Sequence, residues 1–198
     1  MKTNTLTAVL LATTLLSALP SMAQQKRAAS TGGSSPHETT SAVIGDRRTG
    51  CRVTITYGRP FTKDPRSGED RKIWGAAAEK ALVPNGKAWR MGADEATLLI
   101  TQQPLTIGET TIPAGAYTLY MVPEESGASK LAISTKLGQW GIPVDETHDL
   151  ARVDLKKEAL EKPVDQFTMA IDKDPSGGGL IKLMWENTLF SVPFTVKK

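Results

Sequence analysis

The side chains in this sequence that could do chemistry are concentrated in three short segments: Ser35-Pro36-His37-Glu38, Tyr57-Gly58-Arg59-Pro60 and Trp89-Arg90-Met91-Gly92-Ala93-Asp94-Glu95. Arg59 and Arg90 carry planar forks suited to a carboxylate or phosphate, while Asp94 and Glu95 are acceptors and Tyr57 and Trp89 offer flat surfaces. A sugar or a small anion would find donors, acceptors and a platform there. The same groups could instead satisfy one another. Arg59 and Arg90 could pair with Glu38, Asp94 or Glu95 and pin loops to the fold, because ion-pair networks imitate active sites.

Other chemistries find less support. Glycoside cleavage needs two carboxyl groups about 5 to 9 Å apart across one bond. Asp94 and Glu95 are adjacent, so on a strand they would face opposite sides, and the second acid would have to be Glu38 or Asp149. His37 and His148 are the only histidines, each followed by an acid, but their separation matches no local metal-ligand spacing, and no metal or cofactor is assigned. Ser35 and Ser41 lie near His37 without the Gly-x-Ser-x-Gly elbow of a hydrolase nucleophile. Gly177-Gly178-Gly179 sits in a hairpin pattern with no helix after it to present amides to phosphate. Cys51 is the single cysteine, so no internal disulfide forms, and at the head of a β-patterned segment it reads as a buried thiol. Trp74, Trp140 and Trp185 read as core or loop-packing residues, whereas Trp89, set among charge and glycine, is the tryptophan best placed for ligand contact.

The elements that must position these residues follow from hydrophobic periodicity. Period-two alternation recurs over residues 52–57, 97–102, 116–122, 130–135, 151–155, 166–171, 180–185 and 189–196, with turn formers between. Ile107-Gly108-Glu109-Thr110 predicts a tight reversal, residues 174–179 a longer hairpin loop and Glu186-Asn187-Thr188 a further turn. Residues 76–82 carry the one helical pattern, stopped by Pro84, and residues 156–160 predict a short turn of helix. The charged stretch 62–72 predicts an exposed loop. Short strands at this spacing predict an all-β chain, an antiparallel β-sandwich of jelly-roll-like or Ig-like form with one or two short helices in loops.

The N-terminus reads as a targeting segment. Lys2 precedes an apolar run over residues 6–19 that is too short to span a bilayer comfortably, Pro20 breaks it, and Ser21-Met22-Ala23 places small residues where a signal peptidase reads. Cleavage is expected after Ala23, leaving a lead-in at residues 24–34 too poor in apolar groups to offset its ordering entropy, then a single domain over residues 35–198. Export to the periplasm or medium follows, with no stable membrane insertion after cleavage. Removing the leader lowers the formal charge from +3 by one Lys, so the mature chain is nearly balanced and no nucleic-acid partner is expected.

The three polar segments, the last continuing through Ala96-Thr97, occur together with Pro113-Ala114-Gly115-Ala116-Tyr117-Thr118-Leu119, Gly138-Gln139-Trp140-Gly141 and Asp149-Leu150-Ala151-Arg152-Val153. In this combination the chain resembles the bacterial family catalogued as domain of unknown function 2911, over nearly all of its mature length. It departs from the family pattern in two places. The link between the Arg-Pro turn and Ile73-Trp74-Gly75 is longer, over residues 62–72, and residues 76–81 lengthen the step before Leu82-Val83-Pro84. Both read as surface insertions. The resemblance implies export and a β-sandwich but no established activity.

Three functional readings follow from the residues. The first is a non-enzymatic exported domain that binds a small polar molecule, glycan or partner through His37, Tyr57, Arg59, Trp89, Arg90, Asp94 and Glu95. The second is a hydrolase using His37 with Asp94 or Glu95. The third is a structural envelope protein in which the cluster is a buried ionic clasp. They separate on geometry: an open pocket with His37 beside a carboxylate, an exposed groove lined by Trp89 and an arginine, or a buried and mutually satisfied network.

Overall fold

The structure, a computed structural model, describes residues 35–197; the expected leader and lead-in lie outside the described residues. The described residues form twelve strands in chain order. They are β1 His37–Ile44, β2 Cys51–Gly58, β3 Trp74–Gly75, β4 Val83–Pro84, β5 Thr97–Thr101, β6 Leu105–Ile107, β7 Thr110–Ile112, β8 Gly115–Val122, β9 Lys130–Ser134, β10 Asp149–Asp154, β11 Lys156–Asp174 and β12 Gly178–Val196. An antiparallel six-stranded sheet runs β1-β2-β5-β8-β9-β10, and an antiparallel four-stranded sheet runs β11-β12-β6-β7, so the chain is an all-β sandwich.

Alternation decides which side chains face inward. Val53, Ile55, Leu99, Leu119, Met121, Leu131 and Ile133 from the six-stranded sheet meet Leu105, Ile107, Phe167, Met169, Ile181, Leu183 and Trp185 from the four-stranded one in a single buried core. Cys51 is buried in that core and free, as its position in the pattern suggests. The outward face of the six-stranded sheet is divided. Over β8 and β9 it carries a second small cluster, Tyr120, Val122 and Ala132, packed against Ala88 and Val144. On β1, β2 and β5 the outward residues Thr39, Thr54, Thr56, Leu98 and Ile100 are exposed or half-buried.

Three local expectations are corrected. Residues 76–82 form only the 3-10 turn Ala77–Glu79, because β3 and β4 pair in parallel on either side of it and leave room for one turn; Lys80 ends it at φ 58°. Residues 156–160 are not helical but open β11, where Lys156–Ala159 pair with Ser191–Thr188 of β12, a case of cross-strand pairing overriding local propensity. Glu186-Asn187-Thr188 is no turn: the long β12 passes straight through, and Glu186, at φ 52°, absorbs a register shift opposite Val164. The tight reversal at Gly108-Glu109 is present between β6 and β7. The stretch 62–72 is an exposed loop closed by a bridge between Lys63 and Asp70.

Candidate functional site

The structure splits the polar residues of the sequence into two groups. Tyr57 and Arg59 belong to the interior. Arg59 Nη1 lies 2.9 Å from Glu38 Oε2, with both side chains less than a tenth exposed. Its Nε donates to the Phe167 carbonyl at 3.0 Å and its Nη2 to Thr168 Oγ1 at 2.7 Å. Tyr57 Oη accepts from the Met169 N–H at 2.7 Å and lies 3.3 Å from Glu38 Oε1. Burial pushes the Tyr57 phenol well above its ordinary value; the Met169 N–H opposes that shift and the Glu38 charge reinforces it. Glu38 from β1, Tyr57 from β2 and Arg59 just beyond it thus clasp the six-stranded sheet to β11 of the other. Glu38 can be paired in this way because it falls on the inward face of β1, while His37 falls on the outward one.

Trp89 is also interior. It is 8% exposed, stacks on Trp185 at a centroid distance of 5.7 Å and meets Trp74 and Phe167 edge-on. A groove lined by Trp89 therefore does not exist; its setting of charge and glycine in the sequence is a feature of the loop that follows it.

That loop, residues 90–96, is held by close backbone approaches. A Cβ at Gly58 would stand 2.1 Å from the Ala93 carbonyl oxygen, so the loop crosses β2 where only glycine lets it pass. Arg90 then turns outward. Its Nη1 donates to the Asp94 carbonyl at 2.8 Å, and burial holds the guanidinium below its ordinary value against the pull of Asp94 and Glu95. Arg90 packs against Gly141, which has φ +97°; a Cβ there would meet Arg90 Cδ at 2.9 Å. The Ala96 N–H donates to the Gln139 carbonyl at 3.2 Å, which docks residues 138–141 against the start of β5.

Between this docked segment and the open half of the sheet lies a groove of about 300 Å³, lined by Glu95, Ala96, Leu98, Thr118, Gly138, Gln139 and Trp140. Trp140 is 55% exposed. Gln139 Nε2 donates to Thr118 Oγ1 at 3.2 Å, and its Oε1 is a buried acceptor with no hydrogen-bond partner among the described residues. Glu95, 61% exposed, has Oε2 2.8 Å from His37 Nε2. The structure thus brings His37 and Glu95 together, with Arg90 supporting the wall beside them. Asp94, at φ 64°, instead has a buried Oδ2. Ala96, Leu98, Thr118, Gly138, Gln139 and Trp140 are the lining residues that the reading of the sequence did not select, although Gly138-Gln139-Trp140-Gly141 stood out as a motif.

The far side of the covering segment is anchored by charge. Asp145 accepts from the Lys136 ammonium at 2.6 Å and from the Thr147 hydroxyl and N–H; these bonds, the Lys136 one foremost, hold its carboxyl far below the usual range. Arg152 Nε donates to Asp149 Oδ2 at 2.7 Å, and its Nη2 donates to Tyr120 Oη at 2.9 Å and to Glu146. His148 lies against Asp145, whereas His37 lies against Glu95, so the two histidines serve different carboxylates. Among the described residues no three His, Cys, Asp or Glu side chains are grouped to hold a metal ion.

No curated protein and no solved structure matches this chain. The family described as protein of unknown function (DUF2911) matches residues 35–194, the whole sandwich from the start of the His37 segment to the end of β12 but for its last residues, and the chain belongs to that family.

Proposed function

We propose that this protein is an exported, non-enzymatic binding domain that holds a glycan in the groove beside Trp140. The observation that carries the reading is the exposed indole of Trp140 standing over a groove of about 300 Å³. Three tryptophans are consumed by the aromatic core and this one is not. An indole face packs on the C–H face of a sugar ring, and Glu95 and Gln139 supply acceptors and a donor for its hydroxyls, while the buried Thr118 hydroxyl is held by Gln139 and the Lys136 carbonyl. Catalysis is less well supported. His37 meets Glu95 at 2.8 Å, as the hydrolase reading asks, but His37 does not line the groove and Glu95 is the one acid that does. Glu38 is committed to Arg59, Asp149 to Arg152 and Tyr120, and Asp94 turns a carboxylate oxygen into a buried position.

The test is a titration of residues 24–198 against neutral, acidic and amino sugars by calorimetry and tryptophan emission. A saccharide that binds wild type and loses at least about tenfold in affinity in Trp140→Ala supports the reading. Binding by no saccharide, or equal binding by the variant, overturns it. Export is tested separately by cell fractionation and N-terminal sequencing, with Gln24 expected as the mature first residue.

A further inference from the structure

The groove opens onto the uncovered half of the six-stranded sheet, and that half has an unusual composition. Strand register places Thr118 of β8 opposite Leu98 of β5, Leu98 opposite Thr56 of β2, and Thr56 opposite Thr39 of β1. These four side chains share the outward face and form one row across the sheet. The next row is Ala116, Ile100, Thr54 and Ser41. Neither row carries an ionisable side chain. Charge returns only at the borders, with Arg52 on one side and the His37–Glu95 pair on the other. The exposed start of β11, by contrast, carries Lys156, Lys157, Glu158, Glu161 and Lys162, the usual means of keeping a sheet soluble and unpaired. Solvent exposure alone does not explain why the start of β11 is charged while these two rows hold only hydroxyl and aliphatic groups.

We infer that the occupant of the groove is an extended, uncharged glycan chain which continues out of the groove across β5, β2 and β1 on the row Leu98, Thr56, Thr39. The inference rests on the binding reading above and names its ligand class. Neighbouring strands lie about 4.8 Å apart, so from β8 to β1 the row spans about 14 Å, room for several sugar units rather than one. Beyond the buried Thr118, the rest of the row sets the aliphatic Leu98 beside the hydroxyls of Thr56 and Thr39, suiting a neutral pyranose chain whose rings show both hydroxyls and C–H faces. Thr39 Oγ1 and Thr56 Oγ1, 2.9 Å apart, form a paired donor and acceptor at its far end. A polyanion would find no cation along the row, and a polycation would meet an acid only at Glu95.

The experiment measures affinity for neutral, acidic and basic oligosaccharides, each in lengths of one to six units, for wild type, Thr56→Lys and Thr39→Lys. Both positions face solvent, and the second lies on the edge strand, where a folding defect is least expected; thermal melts check both. The expected result is that neutral chains of four or more units bind at least about tenfold more tightly than one or two units of the same sugar, and that either variant erases this length dependence. Affinity independent of length, a preference for charged chains, or variants that keep the length dependence would overturn the inference and leave the groove reading standing. Failure of every saccharide at every length would overturn both. Sedimentation of the free protein tests the other occupant. A dimer dissolved by Thr56→Lys would mean that a second copy covers the platform, and would also overturn the inference.

Discussion

His37 Nε2 stands 2.8 Å from Glu95 Oε2, so the first strand of the domain is tied to the rim of the groove. Glu95 is more than half exposed, and a pair of that kind contributes only about 0 to 1 kcal/mol to stability. Its consequence is to orient the carboxylate. His37→Ala is therefore expected to leave the urea midpoint nearly unchanged while weakening saccharide binding several-fold, with His37→Gln recovering part of the loss. A large fall in stability, or unchanged binding, would show that His37 does not position Glu95.

The clasp between Arg59 and Glu38 should behave in the opposite way. Both groups are buried, so Arg59→Ala removes the guanidinium that pairs with the Glu38 carboxylate in the interior and should cost about 3 to 5 kcal/mol in urea denaturation. Replacing both, as in Arg59→Met with Glu38→Leu, should recover much of that loss. A double variant no more stable than the single one would show that the bonds from Arg59 to Phe167 and Thr168, rather than the ion pair, carry the clasp.

Tyr57 makes the fold sensitive to alkali. Its phenol is held above the ordinary value of 10 by burial, so the folded state retains a proton that the unfolded chain releases. The stability tied to this proton is fully present below pH 10 and is lost as pH rises from there towards the folded value, at up to about 1.4 kcal/mol per pH unit for each such group. Tyr120 is raised in the same direction by burial, reinforced by Asp149. Denaturation series between pH 9 and 11 should show a steep fall in wild type and a shallower one in Tyr57→Phe, which also loses the bond from the Met169 N–H at about 1 to 3 kcal/mol below pH 10. Parallel slopes would place the alkaline sensitivity elsewhere.

Gly141 and Gly138 separate the shape of the groove wall from its backbone strain. Both have left-handed φ, +97° and +76°, but only at Gly141 would a Cβ strike a neighbour, Arg90. Gly138→Ala should cost about 1 kcal/mol, with binding retained. Gly141→Ala should cost more, about 1 to 3 kcal/mol, and weaken binding by displacing Trp140. Equal effects at the two positions would mean that the contact with Arg90 does not set the wall.

Much of the scaffold is legible from local pattern. Alternation marks most of the strands, since a strand half-buried on one face writes its orientation into every second residue. β1 was not marked, because its inward residues include Glu38 and Thr40 and break the apolar alternation. The helix at residues 76–82 and the turn at residues 186–188 were misread for one reason: propensity is local, while pairing of β3 with β4 and of β11 with β12 is not.

The sequence by itself determined the class of the fold, the family, and the segments in which polar chemistry is gathered, because periodicity, turn residues and motifs are short-range properties of a chain. Only the tertiary structure decided which arginine is buried against an acid and which braces a loop, and which of four tryptophans faces solvent. Trp89 and Trp140 each sit beside glycine and polar residues in sequence, yet one completes the aromatic core and the other rims the groove. That difference is set by the face on which each segment docks, a consequence of how the two sheets close and how residues 138–141 settle on the outside of one of them. No local pattern encodes it.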